Sequence, residues 1–101
     1  MTISEYVRKV TIDDQPFALT YRLEASENYH YSYDISIEMI NFKNGYAYKD
    51  TVCNILMDSN DAKLLFDKII LGLVTPISLR YIIEDYLSII MTTSNVRCSS
   101  L

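Results

Sequence analysis

Tryptophan is absent from this 101-residue chain, histidine occurs once, and cysteine, glycine and proline occur twice each. Each scarcity removes a class of chemistry. Two glycines cannot build a Gly-rich phosphate cradle, a collagen repeat or a flexible linker. The one histidine, His30, has no HxxxH partner, and Cys53 and Cys98 share no CxxC spacing, so no metal and no cofactor is expected. Nine basic residues stand against 13 acidic ones, for a net charge of −4. That balance argues against a nucleic-acid partner, which calls for clustered positive charge. No apolar run approaches the roughly 20 residues that cross a bilayer, so no membrane partner is expected. The polar start, Met1 to Tyr6, does not read as a secretory leader. Free thiols then point to a reducing cytoplasm. The final Cys98-Ser99-Ser100-Leu101 has the spacing of a prenylation box, but serines occupy its aliphatic positions, and it reads as a frayed tail.

What remains is half hydrophobic and 22% charged, the balance of one globular domain. Residues 1–91 read as a single α+β domain and 92–101 as a polar tail. The period of the hydrophobic pattern is two up to about residue 56 and helical beyond it. Tyr6, Val10 and Ile12 oppose Val7, Lys9 and Thr11 across a first strand. Phe17, Leu19, Tyr21 and Leu23 line one face of a second strand, and Tyr31, Tyr33, Ile35, Ile37 and Met39 one face of a third. A turn centred on Asp14-Gln15 would set Val10 against Leu19 and Ile12 against Phe17, with Pro16 at the turn.

At Lys43-Asn44-Gly45 two geometries compete. A two-residue turn sets Met39 opposite Asp50 and Ile35 opposite Asn54. A three-residue turn with left-handed Gly45 sets Ile37 against Thr51, Ile35 against Cys53 and Tyr33 against Ile55. The second keeps carboxylates out of the core and is the one expected, with Cys53 a buried small hydrophobe. Asp58-Ser59-Asn60-Asp61 then announces a helix. Ala62, Leu65, Phe66, Ile69 and Leu73 form its inner stripe, and Gly72 stops it. Thr75-Pro76 starts a second helix, whose stripe is Leu79, Ile82, Ile83, Tyr86, Leu87 and Ile90. The expected fold is a four-stranded antiparallel meander followed by a C-terminal helical hairpin on one face.

At Val74-Thr75-Pro76-Ile77-Ser78-Leu79, running into Ile82-Ile83-Glu84-Asp85-Tyr86-Leu87, the chain resembles a family of small uncharacterised bacterial proteins. These are domain-of-unknown-function proteins, mostly of clostridial-type low-GC Gram-positive bacteria. Their pattern is similar: Val-x-Pro-x-x-Leu, an aliphatic pair, Glu-Asp, an aromatic and Leu. The Tyr33-Asp34-Ile35-Ser36-Ile37 strand and the acidic helix start at Asp58 are similar too, and the order of elements matches over about residues 6–90. The resemblance implies a cytoplasmic bacterial protein and no particular activity.

No constellation points to catalysis. A Cys53–His30 dyad would lack an orienting residue and oxyanion donors. Glu84 and Asp85 are helix neighbours about 100° apart, which suits a solvated face with Glu84 near Arg80 rather than a shared proton. An enzyme is not expected. The leading expectation is a non-catalytic interaction or regulatory module. Its candidate surface is Leu64 and Leu71 on the first helix with Ile77 and Tyr81 on the second, all opposite the inner stripes. Their partner would be another protein or, most economically, a second copy in a two-fold homodimer, unless the two helices use these sides against each other. The alternative is a small-ligand or peptide binder, because seven of the nine tyrosines fall in the strand half. Tyr31, Tyr33 and Tyr48 are its candidate platform, and ordinary cross-strand packing is the competing explanation of those rings. Third is an acidic mimic of nucleic acid.

Overall fold

The computed structural model describes residues 2–26 and 31–90, with the side chains of residues 89 and 90 left aside. Tyr29, His30, Cys98 and the 92–101 tail therefore lie outside the described residues, as do the dyad and the prenylation box. Four antiparallel strands, β1 (Thr2–Ile12), β2 (Gln15–Ala25), β3 (Ser32–Asn41) and β4 (Ala47–Leu56), form one sheet in chain order. Two helices follow, α1 (Ser59–Leu71) and α2 (Pro76–Ile90). Both pack on the same face of the sheet, α1 against β2 and α2 against β4 and β3. This is the α+β arrangement that the single change of period implies.

The first hairpin turns one residue earlier than the sequence suggests. Asp13 and Asp14 both adopt left-handed backbone, φ 51° and 62°, and close a two-residue turn with Ile12 opposite Gln15. Aspartate tolerates that conformation better than most side chains do. Pro16 consequently lies inside β2, and Val10 faces Phe17 rather than Leu19. The shift is two residues in register, so the apolar faces still agree.

The β3–β4 register departs in a more informative way. Ile37 pairs with Asp50 and Ile35 with Val52, while Tyr33 does pair with Ile55. Gly45 is left-handed, φ 72°, as the bulged turn requires, yet the extra residue sits elsewhere. Asn41 Oδ1 accepts from Lys43 N and Asn44 Oδ1 from Tyr46 N, both at 2.8 Å, holding a longer loop between Asn41 and Tyr46. The bulge falls at Asn54, φ 57°, where Asp34 Oδ1 accepts the Asn54 N–H at 2.9 Å. Two expectations fall with this. Asp50 lies on the helix-covered face, and Cys53 is exposed on the opposite one rather than buried.

The core lies between the helices and the three later strands. Leu19, Tyr21 and Leu23 of β2, Ile35 and Ile37 of β3, and Val52 and Ile55 of β4 meet Leu65 and Ile69 of α1 and Leu79 and Ile83 of α2. No residue of β1 is buried. The helical cover ends at β2, leaving β1 as an overhanging edge.

Asp58 caps α1, accepting the Asp61 N–H at 2.8 Å. At the other end Val74 N–H donates to Ile69 C=O and Leu73 N–H to Ile70 C=O, the paired reverse bonds of a Schellman ending. Its left-handed residue is Leu73, φ 52°, while Gly72 is right-handed. Leu73 therefore leaves the inner stripe and is exposed. In α2 the expected stripe survives at Leu79, Ile83 and Leu87, with Tyr86 half-buried and Ile82 40% exposed, while the Ile90 side chain lies outside the described residues.

Candidate functional site

Three side chains from different elements tie the helical hairpin to the sheet, two of them at the connection between the helices. The Arg8 guanidinium of β1 donates to Ile70 C=O at 3.3 Å, and the Tyr21 hydroxyl of β2 donates to Val74 C=O at 3.0 Å. Arg80 of α2 reaches back to Asp50 Oδ1 at 3.5 Å and Thr51 C=O at 3.4 Å on β4. Asp50 is thus compatible with the covered face because a cation arrives from the covering helix. Helical spacing sets Arg80 beside Glu84, but the carboxylate it meets is on the sheet.

With the connection pinned, the apolar residues around it point outward. Leu71, Ile77 and Tyr81 are 78%, 74% and 75% exposed, and Leu64 is 55% exposed. The two helices do not use these sides against each other. Leu71 and Ile77 flank the same short connection, and Tyr81 follows Ile77 by one helical turn on the same side. Leu73 adds to this group, unanticipated because its spacing fits the inner stripe; the one warning in the sequence is that it follows Gly72. Along α2 the side that begins with Ile77 and Tyr81 continues into Glu84 and Asp85, both exposed. Leu64 stands about 10 Å up α1 from Leu71, two turns away.

The three tyrosines are not brought together. Tyr31 precedes β3 in a left-handed conformation, φ 56°, and is exposed. Tyr33 is half-buried against the core and opposes Ile55, whereas Tyr48 opposes Met39. That places Tyr33 and Tyr48 six residues apart along β3, about 20 Å. Tyr48 instead stands beside Tyr46, two residues before it on the same segment, ring centroids 5.1 Å apart.

Among the described residues Cys53 has no acid–base partner of the right kind. Partial desolvation, and secondarily the Asp34 carboxylate, push its thiol pKa up, which keeps it protonated at neutral pH and weakly nucleophilic. Burial likewise raises Tyr21, opposed by the charge of Arg8. Among the described residues, no three His, Cys, Asp or Glu side chains gather closely enough to hold a metal ion. No described helix is long and apolar enough to cross a membrane.

A one-faced sheet, a pinned helical hairpin and a rim of outward apolar side chains define the architectural class: a small α+β domain of meander and helical hairpin. The chain belongs to a family of unknown function, DUF6514, whose model matches residues 1–89. No curated protein and no solved structure matches it.

Proposed function

We propose that this protein is a non-catalytic interaction module that docks to another protein through the outer side of its helical hairpin. The observation that carries this reading is the exposure of Leu71, Ile77 and Tyr81 around one hydrogen-bonded connection. Isolated surface leucines are common, but a group on a pinned turn can bury its area without first paying the entropy of ordering a loop. Glu84 and Asp85, next along the same side of α2, give the partner a chemistry: an apolar surface flanked by basic side chains. The raised Cys53 pKa and the absence of a gathered acid–base set among the described residues favour docking over catalysis. The exposed Cys53 thiol suits a reducing compartment, so we place the protein in the cytoplasm. Its bacterial setting rests on the resemblance around Pro76.

Photocrosslinking tests this reading. A crosslinker at position 81 is expected to give one adduct of defined mass in native extract, suppressed by Ile77→Glu and by added salt. A crosslinker at position 38, on the helix-free face, is expected to give none. Adducts at both positions alike, or at neither, would refute it.

A further inference from the structure

We propose that β1 is a self-association edge, and that two copies of this chain join β1 to β1 antiparallel into one continuous sheet. This goes beyond the helical docking reading and does not depend on it. β1 is the outermost strand, 11 residues long. Among the described residues nothing covers its free side, and Ile3, Tyr6, Val7 and Ile12 are exposed large apolar residues on it. The other edge is unlike it: β4 is broken by the Asn54 bulge, and Arg80 occupies the Thr51 carbonyl.

The register can be worked out. Ile12 and Gln15 close a two-residue hairpin, so they are the narrow hydrogen-bonded pair and Ile12 points its backbone groups at β2. By alternation Val10, Arg8 and Tyr6 do the same. Thr11, Lys9, Val7 and Glu5 therefore aim their N–H and C=O groups at the free edge. A two-fold pairing must bring these odd positions into hydrogen-bonded partnership with one another. Centred on Val7, it sets Val7 against Val7 of the partner subunit, Glu5 against Lys9 of the partner subunit and Lys9 against Glu5 of the partner subunit. Those three pairs supply about six backbone hydrogen bonds.

Charge selects this register over its neighbours. Centring on Arg8 would set two arginines face to face and leave Glu5 opposite a threonine. Centring on Tyr6 would leave Lys9 opposite an isoleucine and Glu5 opposite a valine. Of these three, the Val7 centre alone sets Glu5, which also pairs with Arg22 of β2, opposite a lysine on the helix-free face, and Arg8 opposite a tyrosine on the helix side. The second pairing has a precedent within the strand, where the Arg8 guanidinium already lies 5.4 Å from the Tyr6 ring centroid. Charged residues on an edge strand ordinarily discourage pairing; here they are arranged to permit one partner in one register. A two-fold axis normal to the sheet would leave both helical hairpins on the same side, free to dock.

Sedimentation and amide hydrogen exchange of the full chain test this together. A concentration-dependent dimer is expected at micromolar protein, with the Glu5, Val7 and Lys9 amides becoming protected as it forms. Lys9→Glu is expected to weaken it about tenfold, since two attractive pairs become repulsive. Val7→Pro should abolish it, removing the central outward N–H and no bond to β2; unchanged far-ultraviolet circular dichroism confirms that each variant folds. Leu71→Glu and Tyr81→Glu should leave the dimer intact, which separates this inference from the docking reading. A strict monomer at 100 µM, about a hundredfold above the micromolar scale, would overturn it. So would a dimer that ignores Lys9→Glu, or one that the helix variants dissociate.

Discussion

Replacing Tyr21 by phenylalanine isolates the bond that ties the sheet to the turn between the helices. Tyr21 is fully buried, and its hydroxyl donates to Val74 C=O at 3.0 Å. Phenylalanine keeps the ring, so no large cavity opens and the transfer term is small. What is lost is the net value of the bond together with the desolvation penalty of a carbonyl left without a donor, about 1.5 kcal/mol in all. For a domain of this length that lowers Tm by roughly 6–12 °C. Urea denaturation followed by circular dichroism should show the midpoint fall with an unchanged slope. The same residue predicts a pH effect. Its folded pKa is raised above the ordinary value of 10.0 by burial, so the folded chain holds this proton more tightly than the unfolded chain. That contribution is complete below about pH 10 and is lost as pH rises through the folded value. Subtracting the Tyr21→Phe curve from the wild-type curve should reveal it free of the other tyrosines. A loss below about 0.3 kcal/mol, smaller than any net hydrogen bond, would refute the claim that this contact pins the turn.

Asp58→Ala removes the side-chain acceptor of the Asp61 N–H and should cost about 1 kcal/mol, with Asp58→Asn near neutral in the same denaturation assay. Asp34 Oδ1 accepts from both Ser26 Oγ, at 2.7 Å, and Asn54 N. Asp34→Ala should therefore cost about 2 kcal/mol and speed hydrogen exchange at Asn54 and its neighbours. In a Cys98→Ser background, Cys53 should react with a thiol reagent at pH 8 more slowly in the native chain than in urea, since desolvation and Asp34 raise its pKa. Equal rates would contradict that environment.

The order of elements and both helix starts are legible in the sequence because local and tertiary preferences coincide there. A period of two needs one covered face, a period near 3.6 supplies the cover, and Asp58 and Pro76 mark where each helix begins. The ending of α1 is less legible. Glycine is the residue expected at a left-handed helix end, but the backbone puts leucine there and leaves Gly72 right-handed. A Cβ at Gly72 would stand 3.2 Å from Lys68 C=O, so the glycine serves a close approach of backbone one residue earlier. That displacement is what turns Leu73 outward and enlarges the apolar group at the connection.

The departure of the β3–β4 register at Ile35 and Ile37 has a related reason. Excluding a carboxylate from the covered face is sound only when the residues above that face are unknown, since a buried charge is costly for want of a partner rather than by its nature. Arg80 lies thirty residues downstream of Asp50, and its helical spacing to Glu84 gives no hint that it reaches the sheet. Period-two patterning constrains which side each residue takes, but a bulge changes that side midway along a strand, as Asn54 does for Cys53 and Ile55. The tyrosine platform rested on how many tyrosines fall in the strand half, and the length of β3 between Tyr33 and the partner of Tyr48 keeps those rings apart. The helical surface depended only on the 3.6 period inside α1 and α2, which no bulge interrupts, and Leu64, Leu71, Ile77 and Tyr81 accordingly stand outward together. The β1 edge belongs to a third kind of feature, one that pattern alone conceals. Its alternation reads like that of any half-covered strand, and only the placement of α1 over β2 leaves it without a buried residue among those described.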